Sequence, residues 1–493
     1  MAATLSTWRR VPSKAPELGP PPRFFIYDHP ALNHSALLGC GNYDWRFDDS
    51  AAEVPMIDLL SRHSARTYNP EQADLFVVPV FPQVSHKVQA CRSLDPHFID
   101  HPRRMQAAAD ALQQSPNFLR RGGRDHLIVT NSFRIACLGP LRDLMRNGTI
   151  AWFEDPRAQK KHEGPNKIYE MATWRCTVVI PYQASPFCRT LGPSNPARDP
   201  TSTVFFQGSA DAGRGVRKNF DKLSTYPGVN ISTSSRESII ATARSGGSLS
   251  SRYSPLGTAQ GMLRSNFCLV PKGDTPTSSR LYTAVACGCV PILISNEIKA
   301  HQPFPHVLPP NRHFWNLGVP QKARKEGASP REQVGPLGDD NDAVPRPIWI
   351  MEAPFMDNPA KQLDIKLRGQ GGLVAHLPQL QDTLRELAPD VLYDVEGSRV
   401  GHNMLMEWKE ACSGDPLPPL FPVKGGGAKG IGAKANGKAS GSERRRGASG
   451  KAAGGKAGGK AVGGKGAGGK GVGGKGVGGK GVGGKRRGKR ARQ

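Results

Sequence analysis

Residues 266–295 read NFCLVPKGDTPTSSRLYTAVACGCVPILIS, and the order of apolar runs and breakers in this stretch decides the fold class. Phe267 to Pro271 predicts a strand and Lys272-Gly273-Asp274 a turn. Pro276, Thr277 and Ser278 then supply the cap and first turn of a helix that runs to Cys287 and stops at Gly288, before a further strand from Val290 to Ser295. A helix that begins just past the carboxyl end of a parallel strand aims its free N–H groups into the crevice where open α/β sheets bind ligands. Lys272 and Arg280 add full charges at that end, and Arg280, about one turn into the helix, offers a bidentate contact to phosphate. The competing reading of Arg280 is a surface ion pair.

Outward from this segment, short apolar runs alternate with helical patterns from Arg23 on, which is the signature of βα units around a mostly parallel sheet. In the first half, strands are predicted at Phe24 to Tyr27, Leu75 to Phe81, His126 to Thr130 and Thr177 to Pro181. Helices are predicted at Pro55 to His63, Arg103 to Leu119 and Leu138 to Arg146. The linker-like stretch from Gly192 to Pro200 suggests a boundary between a domain of residues 23–192, after an N-terminal linker 1–22, and a second of residues 201–413. The second half restarts with strands Thr203 to Gln207, Phe267 to Pro271 and Val290 to Ser295, and closes with helices Leu377 to Leu387 and Gly401 to Ala411. A further basic cluster, Gly213, Arg214, Arg217 and Lys218, follows the strand that ends in Phe205-Phe206-Gln207-Gly208; it reads equally as a surface helix start. Residues 321–347 form a polar insertion. Its Asp340-Asn341-Asp342 has the spacing of a metal-holding acidic triplet, but no flanking strand aims the carboxylates, so a solvated loop is expected.

The net charge of +26 suggests a polyanion binder until it is located. From Lys424 onward, 20 Lys and Arg residues face one acid, Glu443, which leaves about +7 for the other residues of the 493. The segment 424–493 repeats Gly, Lys and Ala and is expected to be disordered, and no nucleic-acid partner is expected for the body. The nine cysteines show no paired spacing of the zinc-binding kind, so no metal site is expected. Sequons at Asn33, Asn147 and Asn230 fit residence in a secretory lumen. The first 22 residues contain no long apolar run, so neither a signal peptide nor an anchor is visible there.

At these residues a resemblance becomes specific. FCLVPKG, SSRLYTA and GCVPILIS, followed by Pro303-Phe304, are similar in order and spacing to the signature of the exostosin family of glycosyltransferases. FFIYDHP, YNPEQADLFVVPVF, GRDHLIVT and VVIPY correspond to that family's successive strands. The likeness spans about residues 23 to 312, with a less distinctive continuation to about 412. It implies an α/β architecture of two Rossmann-like domains facing a cleft (GT-B) and inverting transfer from a UDP-sugar to a polysaccharide or glycoprotein glycan. It also implies Golgi residence on the lumenal side of the membrane. No cofactor is implied beyond the nucleotide-sugar donor itself.

Within that resemblance the donor residues are Arg217, Lys272, Gly273, Ser279, Arg280 and Thr283. Thr283 is a departure, since the family carries an acid three residues after the arginine and a threonine cannot make a charged contact to the donor. For the base of an inverting transfer, the candidate is Asp125 in GRDH, with His126 beside it, although Asp125 also reads as a turn cap or a partner of Arg124. Two other readings stay open: a catalytically silent member that supports a homologous glycosyltransferase partner, and a polyanion-binding protein acting through its tail.

Overall fold

The computed structural model describes residues 18–41, 43–89, 91, 100–131, 135–155, 174–191, 203–209, 215–234, 255–273, 276–309, 312–314, 348–369 and 372–414. The chain divides into a compact unit Met1–Ala428 and a second unit Lys429–Gln493, and every described residue belongs to the first.

The first half runs β1 (Phe24–Ile26), α1 (Glu53–Ser61), β2 (Leu75–Val78), α2 (Pro82–Val88), α3 (His101–Gln114), α4 (Pro116–Arg121), β3 (His126–Val129), α5 (Pro140–Leu144), β4 (Thr149–Trp152), β5 (Cys176–Val179) and α6 (Pro186–Leu191). Its five strands pair in parallel in simple chain order, with Val77 opposite Leu127 and Ile128 opposite Ile150. All residues of β2 to β5 are buried, so both faces of these strands are covered and the sequence reads as continuous apolar runs. Proline opens α2, α4, α5 and α6, where its missing N–H costs no hydrogen bond. Ser115-Pro116 accordingly splits the single helix predicted over 103–119 into α3 and α4, and Asp100 caps α3 by accepting from Arg103 N at 2.9 Å.

The second half runs β6 (Val204–Ser209), β7 (Val229–Ser234), α7 (Pro255–Arg264), β8 (Phe267–Pro271), α8 (Arg280–Ala286), β9 (Val290–Ile294), β10 (Trp349–Ile350), α9 (Glu352–Asp357), α10 (Pro359–Arg368), α11 (Leu377–Val391) and α12 (Val400–Ala411). The sheet order is β10-β9-β8-β6-β7, all parallel. After β6 the chain adds β7 on one side and then β8 on the other, so the strand order reverses between β6 and β8. In open α/β sheets that reversal opens a crevice beyond the strands' carboxyl ends.

The predicted strands are present, and β4, β7 and β10 join them. Helix α8 is shorter than the sequence suggested. It starts at Arg280, because Thr277 is held in the preceding turn, and it ends at Ala286, with Cys287 as its C-cap ahead of Gly288, whose φ of 65° is left-handed. The expected boundary at 192–200, the insertion 321–347 with Asp340-Asn341-Asp342, and the tail 424–493 lie outside the described residues.

One continuous apolar core reaches from Phe24 to Cys412 and takes in residues of both sheets. Helix α12, expected to close the second half, packs instead on β5 and α1 of the first. There Trp408 Nε1 donates to Thr149 Oγ1 at 3.2 Å, and Cys176 is bonded to Cys412. Three further disulfides join Cys40 to Cys91, Cys188 to Cys287 and Cys268 to Cys289. Among the described residues, no helix is long and apolar enough to cross a membrane.

Candidate functional site

A pocket of about 370 Å³ opens at the β6/β8 reversal, within the size range of small-molecule sites. Five stretches build its wall, one of them α7 with Pro255, Thr258 and Met262. The turn after β8 and the start of α8 supply Gly273, Thr277, Ser279, Arg280 and Thr283, and the 3-10 helix after β6 supplies Arg217. The segment after β5 supplies Tyr182, Gln183 and Ser185, and the irregular segment before α1 supplies Arg46, Phe47 and Asp49.

Two guanidinium groups dominate this space. Arg280 lies over the Phe206 ring at 4.7 Å from its centroid, and Arg217 lies over the same ring at 5.7 Å. Arg217 also donates to Lys272 O at 3.1 Å, which fixes its direction. Gly208 makes room for Arg280: a Cβ at that position would stand 2.8 Å from Arg280 Nη2. Burial and then the charge of Arg217 lower the Arg280 guanidinium to about 9, with Asp49 opposing; it remains cationic at neutral pH. Two cations held side by side on an aromatic face suit an anion that spans both.

The turn that carries these groups is anchored from the first half. Glu154, just past β4 and fully buried, accepts from Thr277 N at 3.0 Å and from Thr277 Oγ1 at 2.6 Å. Thr283 uses its hydroxyl to accept from Ser185 N at 3.2 Å, so the residue standing where the family has an acid ties α8 to the segment after β5.

The segment of Arg46, Phe47 and Asp49 also lines the pocket. Gln183 holds it, donating from Nε2 to Arg46 O at 2.8 Å and from its backbone N–H to Asp49 O at 3.2 Å. Asp48 is engaged by Tyr43 Oη at 2.7 Å and Gln83 Nε2 at 3.1 Å. Asp49 instead lines the pocket, its carboxylate hydrogen-bonded to Ser279 and accepting from Ser50 Oγ at 3.2 Å. The surrounding protein wall raises this carboxyl above its ordinary value, the Ser279 hydrogen bond opposes the rise, and the Asp48 charge adds to it. Phe47 is 50% exposed and packs against Phe187 with ring centroids 5.2 Å apart.

Of the residues singled out in the sequence, Arg217, Gly273, Ser279, Arg280 and Thr283 come together here. Lys272 does not line the pocket: its ammonium forms an ion pair with Glu352 of α9, and Glu352 also accepts from Asn296 N at 2.9 Å. Nor do Asp125 and His126. They stand at the amino end of β3, whereas the pocket lies beyond carboxyl ends of strands, and both are buried. Asp125 bonds His126 Nδ1 at 2.8 Å, His126 Nε2 meets Tyr27 Oη at 2.8 Å, and Arg120 and Arg121 lie 3.6 and 3.7 Å from the carboxylate. Burial pushes the Asp125 carboxyl up, but His126 and Arg121 outweigh it and hold it below the usual range. This chain of contacts braces the strand edge. Of the sequons, Asn33 is half-buried, with its side chain accepting from Ser35 N at 3.1 Å, while Asn147 and Asn230 are exposed. Gly213 and Arg214 lie outside the described residues, and Lys218 is exposed.

The exostosin GT47 domain matches residues 19–319, which contain both sheets up to β9 and every residue of the pocket. The chain belongs to the exostosin GT47 family. Among the relatives of this exostosin chain, the probable arabinosyltransferase ARAD1 of Arabidopsis thaliana is 28% identical over 262 residues, 52% of this chain and 51% of the relative. A probable glucuronosyltransferase of Oryza sativa subsp. japonica is 29% identical over 306 residues, 58% of this chain and 64% of the relative. The probable beta-1,4-xylosyltransferase IRX10L of Arabidopsis thaliana is 26% identical over 314 residues, 58% of this chain and 65% of the relative. The exostosin chain thus spans about half to two thirds of the length of these relatives.

Proposed function

We propose that this chain is an inverting glycosyltransferase of GT-B architecture that moves a sugar from a UDP-sugar to a polysaccharide or glycan hydroxyl. The observation that carries this reading is the pair Arg217 and Arg280 at the β6/β8 reversal, a place suited to a diphosphate. In the proposed reaction the acceptor oxygen attacks the anomeric carbon while the bond from that carbon to the diphosphate oxygen breaks. Arg217 and Arg280 take up the charge that develops on the departing diphosphate. The acceptor proton passes to a carboxylate, and Asp49 replaces Asp125 as the candidate for that role because it faces the pocket.

The names of the relatives suggest UDP-arabinose, UDP-glucuronic acid and UDP-xylose as the first donors to try and a cell-wall polysaccharide as acceptor. Four disulfides support an oxidising compartment, in keeping with a Golgi lumen. Turnover of this donor panel with mixed glycan acceptors, by wild type, Arg280→Ala and Asp49→Asn, is the test. Turnover abolished by both substitutions, with UDP binding retained in Asp49→Asn, is the expected result. UDP binding without turnover in wild type would favour a silent partner subunit, a reading to which Thr283 lends support. Absence of UDP binding by folded wild type would sink the proposal.

A further inference from the structure

A second cluster lies away from this pocket, where α2, the start of α3 and the turn at residues 135–138 meet near the carboxyl ends of β2 and β3. His86, His101 and Cys137 each bring a metal-ligating atom there, and the three atoms lie within 4.8 Å of one another. We propose that these residues form a zinc site.

Several observations converge on that assignment. Cys137 is the one cysteine of the nine outside a disulfide, and it is buried. His101 is 6% exposed, and its Nε2 has no hydrogen-bond partner although the other ring nitrogen, Nδ1, lies 2.8 Å from Ser85 Oγ. A ring whose Nδ1–H is donated to Ser85 keeps its Nε2 lone pair for a metal, the arrangement in which an outer hydroxyl orients a ligating histidine. Ser85 is itself held, since its Oγ accepts from Arg104 Nε at 2.8 Å and its carbonyl from Arg104 Nη2 at 2.9 Å. The Arg104 charge, which acts on His101, opposes a divalent cation, so binding requires Cys137 to enter as the thiolate. Two imidazoles and one thiolate suit zinc and not calcium or magnesium, which take oxygen ligands. Metal–ligand bonds of about 2.0–2.3 Å place tetrahedral ligands nearer each other than the present spread, so the cluster must close by about 1 Å. His86 is half-exposed on α2, and with three protein ligands the fourth tetrahedral position falls to water.

The signal was hidden in the sequence because the three ligands come from separate elements. Only the fold assembles them.

The full chain, stripped of metal by a chelator, would be titrated with Co²⁺ and followed by absorption, then melted with and without Zn²⁺. The expected result is one equivalent of Co²⁺ with tetrahedral visible bands and a near-ultraviolet thiolate-to-cobalt band, together with a higher Tm in Zn²⁺. Cys137→Ser should lose the near-ultraviolet band. His86→Ala, at a half-exposed helix position that should leave folding intact, should weaken binding by at least about tenfold and abolish the Tm shift. Absence of the thiolate band in wild type, its persistence in Cys137→Ser, or unchanged affinity in His86→Ala would each overturn the site.

Discussion

Replacing Gly208 by alanine tests the donor reading without touching a side chain of the pocket. Gly208 has no left-handed φ, so alanine brings no backbone strain; the new Cβ would stand 2.8 Å from Arg280 Nη2, the severe contact, and 3.3 Å from Phe206 Cζ, which needs to give by only about 0.1 Å. Ordinary contact requires about 3.4 Å or more, so the guanidinium must retreat by about 0.6 Å. The obstacle is the far end of a flexible side chain, and the fold should therefore be little affected, with stability changed by less than about 1 kcal/mol. A charge-assisted hydrogen bond contributes about 1.5–3 kcal/mol, and losing its alignment by this displacement should cost about 1.5 kcal/mol, or about tenfold in affinity. Calorimetric titration of UDP into wild type, Gly208→Ala and Arg280→Ala, with thermal melts of all three, gives the comparison. Gly208→Ala should fall between the other two in Kd while melting like wild type. An unchanged Kd in normally melting Gly208→Ala would refute the placement of Arg280 on the diphosphate.

Lys272→Ala should leave UDP affinity within about twofold of wild type while lowering Tm, because the ammonium pairs with Glu352 outside the pocket; a tenfold loss of affinity would restore Lys272 as a donor residue. Glu53 is fully buried, accepts from Val84 N at 3.0 Å, and burial holds its carboxyl well above the usual range. A raised carboxyl favours the fold while protonated, so this contribution is complete below the unfolded pKa near 4.5 and is lost as pH rises toward the folded value. Glu53→Gln should therefore flatten the fall in stability above about pH 4.5, measured by urea unfolding across pH, and a wild-type slope in the variant would contradict this. The double substitution Cys188→Ser with Cys287→Ser removes a link between α6 and α8 that closes 99 residues, and should cost about 2–4 kcal/mol; an unchanged Tm would show that the packing around Thr283 and Ser185 suffices.

Much of this was legible in the sequence, and the rest was not for identifiable reasons. Buried parallel strands declare themselves as apolar runs, so FFI, LFVV, HLIV, FCLVP and VPILI could be placed directly. Strand β7 escaped notice because VNISTS lies at the sheet edge and is half polar, and β4 because four residues after Asn147-Gly148 look like the tail of a helix. In the site, Arg280 follows from the strand–turn–helix grammar, Arg217 from the basic cluster after β6 and Ser279 from the family resemblance; the grammar also pointed to Lys272, although direction along a turn cannot be read from spacing. Arg46, Phe47 and Asp49 carry no periodic signal. They reach the pocket through Gln183, more than 130 residues distant, and the only hint was the dense WRFDD in an otherwise unpatterned stretch. The disulfides were equally silent, since partners up to 236 residues apart leave no spacing to recognise.

The return of α12 to the first sheet bears on how the protein is made. A ribosome finishes β5 long before it reaches Trp408 and Cys412, which complete the packing of that sheet and are bonded to it. At translation speeds of about 5–20 residues per second, a gap of 236 residues holds the first half unfinished for on the order of tens of seconds. During that interval the surfaces of α1 and β5 destined for α12 lack their cover, and Cys176 is without its native partner. A chain truncated before α12 would retain every residue of the pocket and still never close its first sheet.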